Sequence, residues 1–421
     1  MASFSFGAGN AQKLVRIPLY LLGRIATLLI PRRDGAWVIG CGAGIGDGAL
    51  ALWDVVRRER HDAIWLTGSP REAADAAARG IPTAPKHSVR GFWLTARAGI
   101  VVVTHGFGDV NRYAVSGAFL VQLWHGIPLK RIGLDSPETL RSGILPSSVV
   151  VRAALGAMYR GATRRIGVLP AASHLARGRF ESAFSLPEDR VPVTGEPRVD
   201  VLSVGTGQGR RAAATELVSG LLGELPADSR MVLYAPTWRD GDPDPAIPDA
   251  EEWRALVDVL EHRNAVLVVR SHPLGAGEYR PPFDTDRVRT LGSGILADIT
   301  PALPAFAVLV TDYSSLAFDC ALVPVPAVYL APDVEAYAQR RGFYGRYSDV
   351  AGDDYATTWR AAAAQLEAIL GDETVHAERV ERSRALSGRV HAHRDGRNTA
   401  RVYRAIISRA GAAAGAPKGA P

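Results

Sequence analysis

The sequence predicts an α/β protein of two domains, each built around a parallel sheet with helices on both faces. Its 421 residues exceed what one compact core usually holds. Short β-branched runs alternate with longer amphipathic or alanine-rich stretches, which is typical of parallel sheets covered by helices. Glycines cluster between Val204 and Gly209, where we place the break. Ligands of such folds bind at the carboxyl ends of the strands, so we expect one cleft there.

The alternation defines the elements in chain order. Strands are predicted at Ala36–Gly40, Ala63–Leu66, Ile100–Thr104, Leu120–Trp124, Val191–Gly195, Met231–Ala235, Val266–Arg270, Val308–Thr311 and Pro326–Leu330. We divide the chain into a basic amphipathic segment over 1–33, a first domain over 34–204 and a second domain over 210–373. A helix over 374–410 follows and is a candidate for crossing back onto the first domain. The tail over 411–421 is predicted to be disordered.

The charge distribution predicts contact with an anionic membrane surface. No Asp or Glu precedes Asp34, and a second acid-free stretch, rich in arginine, runs from Thr139 to Phe180. The apolar run Ile17–Ile30 is too short to span a bilayer and lacks a cleavage site, so we expect a peripheral protein on the cytoplasmic face. The two cysteines, far apart in sequence, build no disulfide framework and suit a reducing compartment. Without a recognised module, the charge does not indicate nucleic-acid binding.

The first motif that can carry chemistry is a histidine at a strand end. His125 follows the strand through Trp124, and its pKa lies near neutrality in the unperturbed state, as a general base requires. Gly126 lets the backbone approach a ligand closely, and Lys130 adds a cation nearby. A lone histidine is more often structural, but this placement favours catalysis.

Two further strands end in cationic or hydroxyl side chains. Thr237 and Arg239 follow one strand and are candidate phosphate contacts, although an internal Arg–Asp pair is the alternative. Arg270 ends the next strand with a planar fork of donors for phosphate oxygens, unless it pairs with a structural carboxylate. His272 lies two residues on and is a candidate donor to a transferring phosphate.

A fourth strand turns into a helix at paired serines. The hydroxyls of Ser314 and Ser315, together with free N–H groups at a helix start, predict an anion site. Asp319 lies one turn further on, within reach of a ribose hydroxyl. Simple N-capping by Ser314 or Asp312 is the alternative, and capping does not exclude phosphate binding.

The glycine-rich loop Gly40–Gly48 gives only a weak dinucleotide signal. It contains a GxGxxA match from Gly44 to Ala49, but the glycine spacing is irregular and no acidic ribose partner ends the next strand. The sequence contains no HExxH motif and no clustered His/Cys set. We therefore predict neither a metal ion nor a bound cofactor.

These motifs together resemble the CDP-glycerol glycerophosphotransferase family, which includes teichoic-acid primases, teichoic-acid polymerases and related capsule enzymes. The matching stretches are Gln122–Asp135 (QLWHGIPLKRIGLD), Gly195–Asp200 (GEPRVD), Leu233–Asp240 (LYAPTWRD), Arg270–Pro273 (RSHP), Thr311–Asp319 (TDYSSLAFD) and Arg341–Tyr347 (RGFYGRY). The resemblance implies a GT-B-like fold of two Rossmann-like domains with parallel sheets facing a central cleft.

The resemblance also implies the roles of these residues. His125 is then the base and His272 a second catalytic residue. Trp124, Gly126, Lys130 and Asp135 lie on the acceptor side, and the motifs of the second domain bind the donor. The implied donor is CDP-glycerol or another CDP-alcohol, the implied acceptor is lipid-linked, and CMP leaves.

Three questions stay open at this stage. A nucleotide-sugar glycosyltransferase of the same fold, acting in cell-envelope glycan synthesis, is the alternative enzyme. A membrane-surface nucleotide-binding scaffold is the non-enzymatic alternative. Assembly into a homo-oligomer is also left open.

Overall fold

The chain folds into two compact units, each with its own parallel sheet. The computed structural model describes residues 17–140, 148–239, 244–271 and 278–415. Unit 1 contains the chain up to His125, Arg131–Asp200 and the segment from Arg397 onward, whereas unit 2 contains Gly126–Lys130 and Val201–Gly396. The predicted α/β class with parallel sheets is confirmed.

Unit 1 has six parallel strands in the order β3-β2-β1-β4-β5-β6 within the described residues. The strands are β1 (Arg33–Ile39), β2 (Asp62–Thr67), β3 (Thr83–Pro85), β4 (Ala98–Val103), β5 (Phe119–Gln122) and β6 (Ile166–Val168). The helices are α1 (Ile17–Leu29), α2 (Asp47–Arg58), α3 (Pro70–Ala78), α4 (Val89–Arg97), α5 (Val149–Thr163), α6 (His174–Phe184) and α14 (Asn398–Gly415). This strand order is that of dinucleotide-binding Rossmann folds.

Alternate residues of the central strand β1 face opposite sides of this sheet, as its period of two requires. Trp37 and Ile39 pack into one core together with Leu52 of α2 and Ile406 of α14. Val38 points into the other core, with valines of β4. Both faces are therefore buried, which explains why the second half of β1 (36–39) and the strand β4 read as continuous apolar runs.

Unit 2 has five parallel strands in the order β11-β10-β7-β8-β9 in the described part of the chain. The strands are β7 (Arg230–Ala235), β8 (Ala265–Val269), β9 (Val288–Thr290), β10 (Phe306–Thr311) and β11 (Ala327–Tyr329). The helices are α7 (Gly207–Leu222), α8 (Ala250–His262), α9 (Leu316–Leu322), α10 (Val334–Arg340), α11 (Ser348–Ala351), α12 (Trp359–Gly371) and α13 (Glu373–Val390). The order repeats the Rossmann pattern, with the chain reversing between β7 and β10.

A carboxylate joins the loop before α12 to helix α13 in unit 2. Asp354 accepts hydrogen bonds from Arg379 at 2.7 Å and from Arg382 at 2.8 Å. Burial opposes ionisation of this carboxyl, but the hydrogen bond from Arg382 and the charges of both arginines outweigh it, so the pKa of Asp354 lies below its ordinary value.

Two predictions at the end of the first domain are wrong. Val191–Gly195 is not a strand, because it forms only an isolated bridge between Val193 and Ala171, and the edge of the sheet is β6 instead. The glycines expected to form a linker lie at the start of helix α7, where the side chain of Thr206 caps the N–H of Gly209. A good N-cap residue outweighs the low helix propensity of glycine here. The chain passes from unit 1 to unit 2 at Asp200–Val201.

The C-terminal prediction of one helix over 374–410 is also wrong. Helix α13 ends at Val390 and α14 begins at Asn398, and Gly396 between them has a left-handed φ of 67°. Helix α13 belongs to unit 2 and α14 to unit 1. Helix α14 continues through alanines to Gly415, so the start of the predicted tail is helical, as alanine propensity favours. Residues 416–421 lie outside the described residues.

The predicted membrane segments are partly described. Helix α1 packs against α4. At Gly23 it also approaches the segment before β5, where an added Cβ would overlap the carbonyl oxygen of Tyr113. Its large apolar side chains are exposed. Residues 1–16 and 141–147 lie outside the described residues. No helix within the described ranges is both long and apolar enough to cross a bilayer.

Candidate active site

Most of the described site residues that the sequence predicts follow strands at or next to the switch point of each sheet, where the chain leaves two neighbouring strands toward opposite faces of the sheet. In unit 1 this point lies between β1 and β4, and in unit 2 between β7 and β10. Loops diverge there and leave a crevice at the carboxyl ends of the strands, which is where α/β folds bind ligands.

His125 stands on a strained turn after β5. Trp124 before it is held at φ 62° and Gly126 after it at φ 132°, so two of three consecutive residues have positive φ. A bulky residue rarely adopts this region. The Trp124 indole is 8% exposed and packs edge-on against Phe184 at 5.1 Å, which holds the turn in place. Trp124 therefore acts in the structure as a buried anchor for the histidine.

The His125 ring is fixed by stacking. Its centroid lies 4.3 Å from that of His105, with an interplanar angle of 2°, and 4.4 Å from that of Trp124. Its Nδ1 lies 3.5 Å from the carbonyl oxygen of Thr104. A half-buried imidazole with restricted rotation, at the end of a strand, has the placement that a general base requires.

His105, which the sequence-based reasoning missed, belongs to a network at the end of β4. Its Nδ1 lies 2.8 Å from the hydroxyl of Thr104. The carboxylate of Asp109 accepts the backbone N–H groups of Thr104, His105 and Gly106 at 2.9, 2.7 and 3.3 Å. Burial, and then the neighbouring His125, lower the pKa of His105 to about 2, so its ring is neutral. The one signal for His105 in the sequence is its position directly after the end of strand β4.

Asp135 and Lys130, both predicted on the acceptor side, have different surroundings. Asp135 accepts a hydrogen bond from the hydroxyl of Ser182 at 2.6 Å within unit 1. Gly126 and Lys130 belong to unit 2, where the ammonium of Lys130 donates to the hydroxyl of Tyr337 at 3.3 Å. The prediction that groups Lys130 with the first domain is therefore wrong.

In unit 2, a buried carboxylate organises the ends of β7 and β10. Asp312, 2% exposed, accepts the N–H of Thr237 at 2.9 Å and the N–H of Tyr313 at 2.6 Å. The hydroxyl of Thr237 is buried and has no hydrogen-bond partner among the described residues. A phosphate oxygen at this edge would supply the acceptor that this hydroxyl lacks.

Arg239 is not a free phosphate contact, which corrects the sequence-based prediction. Its guanidinium is 5% exposed, binds Asp333 through two donors at 2.8 and 3.1 Å, and reaches Asp312 at 2.7 Å. It also lies over the ring of Tyr313, 4.9 Å from the centroid. Arg239 therefore stabilises the loop, in agreement with the internal Arg–Asp alternative.

Arg270 likewise binds the protein itself. Its guanidinium donates to the backbone carbonyl oxygens of Leu291, Leu296 and Ala297 at 3.2, 2.8 and 3.0 Å. It holds the loop after β9, and the charge of Asp298 also acts on it, raising its pKa against the effect of burial. The role of Arg270 as a donor-phosphate contact stays a prediction. His272, the second catalytic candidate, lies outside the described residues.

The paired serines do lie where β10 turns into α9. Both are half-buried, and the Ser314 hydroxyl accepts the N–H of Leu316 at 3.2 Å, while Ser315 makes no side-chain capping bond. Asp319 is 1% exposed. The side chain is thus buried, and its contact with a ribose hydroxyl stays a prediction.

The stretch Gly195–Asp200 has a structural role within unit 1. The carboxylate of Asp200 accepts the N–H groups of Asn398 at 2.9 Å and Thr399 at 2.8 Å, and so caps helix α14 from nearly two hundred residues away in sequence. Gly195 lies so close that a Cβ there would overlap the Asn398 amide at 2.1 Å. Asp200 and Gly195 therefore fix the start of α14 within unit 1.

Comparisons with known proteins identify the family of this chain. The sequence model of the family described as CDP-glycerol:poly(glycerophosphate) glycerophosphotransferase matches residues 39–408. A teichoic acid glycerol-phosphate transferase of Staphylococcus aureus is 29% identical over 63% of this chain and 66% of its own length. A teichoic acid poly(glycerol phosphate) polymerase of Bacillus subtilis is 26% identical over 68% of this chain and 37% of its own. The chain thus spans from about a third to just under two thirds of these curated relatives.

The solved structure of the wall teichoic acid polymerase TagF has the same fold. It superposes with a TM-score of 0.70 at 20% identity and covers 94% of this chain and 93% of its own. A TagF variant soaked with CDPG gives the same TM-score. A UDP-GlcNAc 2-epimerase from Neisseria meningitidis is more distant, with a TM-score of 0.51 at 12% identity. The TagF likeness confirms the predicted GT-B-like fold class.

Proposed function

Because this chain belongs to the CDP-glycerol:poly(glycerophosphate) glycerophosphotransferase family, we propose that it transfers a polyol phosphate from a CDP-alcohol to an acceptor hydroxyl. The donor is CDP-glycerol or a related CDP-alcohol, and the acceptor is lipid-linked. The product extends a teichoic-acid-like or capsular polymer. Named relatives that act on glycerol phosphate, together with motifs in the order of the family, support this reaction class.

The proposal rests mainly on the position of His125 at the end of a strand. In the proposed reaction, His125 takes the proton from the acceptor hydroxyl as that oxygen attacks the distal phosphorus of the donor. The bond from this phosphorus to the bridging oxygen breaks, and CMP leaves with the electron pair. The stacked rings of His105 and Trp124 restrict His125, so little ordering remains to be done in the transition state.

The donor phosphates are assigned to the switch point of unit 2. Ser314 and Ser315 supply half-buried hydroxyls, and Thr237 supplies a buried hydroxyl without a described partner. Fixed donors of this kind stabilise charge that develops on phosphoryl oxygens, which is usually the largest catalytic contribution. Arg239 and Arg270 contribute indirectly, because they hold the loops around these hydroxyl groups in place.

Turnover with a donor panel tests the reaction class. The chain is incubated with CDP-glycerol, CDP-ribitol or a nucleotide sugar, plus a lipid-linked acceptor, and the released nucleotide is identified. We expect CMP. Release of UDP or GDP would favour the glycosyltransferase alternative, and donor binding without turnover of any donor would favour the scaffold.

A His125→Asn variant tests the base. Loss of a general base typically lowers the rate by about 10² to 10⁴, while donor binding should persist. His174→Asn is the matched control, because His174 is exposed on α6 of the same unit and touches none of the proposed machinery. Near-wild-type turnover of the His125→Asn variant would refute the assignment.

We also propose that unit 1 lies against an anionic membrane surface. Helix α1 exposes leucines along its length, with Leu28 at 78% and Leu29 at 80%. On the neighbouring helix α4, Trp93 is half exposed, and Arg90 and Arg97 line a cavity beside it. Exposed apolar side chains flanked by tryptophan and arginine suit the interface between acyl chains and headgroups. This placement agrees with a lipid-linked acceptor.

A further inference from the structure

Three side chains of different chemistry converge at the switch point of unit 1. Cys41 comes from the glycine-rich loop after β1, Asp47 begins the helix α2 that follows this loop, and His105 comes from the end of β4. Their potential ligand atoms all lie within 4.8 Å of one another. Because two separate segments supply them, no short sequence motif reveals the group.

Thiolate, imidazole and carboxylate are the three ligand types that zinc accepts. A tetrahedral ion with bonds of about 2.0–2.3 Å holds its ligand atoms roughly 3.5 Å apart, so small side-chain movements would close this set around an ion. Magnesium and calcium prefer oxygen ligands and fit a buried sulfur poorly. The donor set therefore selects a zinc-class ion.

The sulfur of Cys41 has close neighbours that hold it in place. It is 3% exposed and lies 3.3 Å from the Thr104 hydroxyl and 3.4 Å from the N–H of Ala43. Burial and the nearby charge of Asp47 raise the pKa of this thiol, so an ion that binds here must displace the thiol proton. Next to Cys41, Gly42 permits a close approach, because a Cβ there would lie 2.6 Å from the ring of His105.

We propose that unit 1 binds one zinc-class divalent ion through Cys41, Asp47 and His105. Three protein ligands leave a fourth position for water or another oxygen ligand, as in open zinc sites. The inference goes beyond the proposed function, and its test does not depend on turnover. It also departs from the sequence-based expectation that no metal is bound.

Cobalt binding tests the site directly, since cobalt replaces zinc and reports its own ligands. The full chain, without any added polyhistidine segment, is stripped with a chelator and titrated with Co²⁺. We expect a single equivalent to bind, with visible bands of tetrahedral cobalt and a sulfur-to-cobalt charge-transfer band in the near ultraviolet.

The chain holds two cysteines, which makes the sulfur assignment decisive. Cys41→Ser should abolish the charge-transfer band, whereas Cys320→Ser should leave it unchanged, because Cys320 is equally buried but lies in unit 2. Serine nearly matches cysteine in size, so both variants should fold, and circular dichroism checks this. Absence of cobalt binding, or a band that persists in Cys41→Ser, would overturn the proposal.

Asp47 gives a second test that does not depend on the buried cysteine. Asp47→Asn should weaken zinc binding by more than about tenfold, the lower end of what even an outer-shell partner contributes. Asp54→Asn is the matched control, because Asp54 is exposed on the same helix α2. Equal zinc affinity in the two variants, measured by competition with a chelating dye, would exclude Asp47 as a ligand and overturn the three-ligand site.

Discussion

Replacing Arg239 with methionine separates two roles for this side chain, a phosphate contact and a buried ion-pair partner. The guanidinium binds Asp333 through two donors and Asp312 through a third, and it stacks on Tyr313. Methionine fills much of the volume but leaves two carboxylates without their cation. Removing one partner of a buried ion pair typically costs about 3–5 kcal/mol. Unit 2 has about 200 residues, for which 1 kcal/mol shifts Tm by about 2–4 °C, so the expected loss is roughly 6–20 °C.

Differential scanning calorimetry of the full chain measures this loss as a lower Tm for the unfolding of unit 2. Arg211→Met is the matched control, since Arg211 is exposed on α7 of the same unit. Arg239→Lys keeps the charge but loses the fork, so its Tm should lie between those of the wild type and Arg239→Met. A Tm for Arg239→Met equal to that of Arg211→Met, with weakened donor binding, would refute the structural role and restore the phosphate contact.

Three further perturbations test separate parts of the chain. Gly42→Ala should lower both Tm and turnover, because its Cβ would lie 2.6 Å from the imidazole of His105. Overpacking of this kind typically costs about 1–3 kcal/mol. Gly35→Ala is the control and should behave as wild type, because no atom lies within 4 Å of its Cβ. The pKa of Asp354 is lower in the folded protein than its value of 3.8 in the unfolded chain, so its ionised carboxylate stabilises the fold above pH 3.8. This stabilisation is lost as the pH falls through the folded pKa, so the Tm difference between wild type and Asp354→Asn should vanish in acid. A Tm difference that stays constant with pH would contradict this. Leu28→Ser combined with Leu29→Ser should reduce flotation with anionic liposomes, and unchanged flotation would exclude α1 as an anchor.

The sequence predicted the strands of the two sheets well where they are buried on both faces. β4 and β10 are continuous valine-rich runs, and no other element gives that pattern over so few residues. The short edge strands β3, β6 and β9 were missed, although the equally short edge strand β11 was predicted. Three residues such as Ile166–Val168 carry too little periodicity, while the β-branched run from Val191 makes only one bridge. Strand order was not readable, since pairing joins segments that are distant in sequence.

The roles of charged residues were predicted less well than their positions. Arg239 and Arg270 do lie at strand ends, but their partners are a carboxylate 94 residues away and carbonyl groups of a loop. Residue type shows what a guanidinium can bind, whereas only the fold shows what lies within reach. His105 was overlooked for the same reason, because its significance comes from stacking on His125.

The engagement of both arginines changes what the donor phosphates are expected to contact. With these guanidinium groups bound within the protein, the hydroxyls of Ser314 and Ser315 are the half-buried donors at the switch point of unit 2. One hydrogen bond contributes about 0.5–1.5 kcal/mol, so Ser314→Ala or Ser315→Ala should each weaken CDP-glycerol binding roughly two- to tenfold. Isothermal titration calorimetry measures this, with Ser229→Ala, in the turn before β7, as the control. Unchanged affinity in both serine variants would remove the phosphates from this helix start and leave the family motif there with the capping role alone.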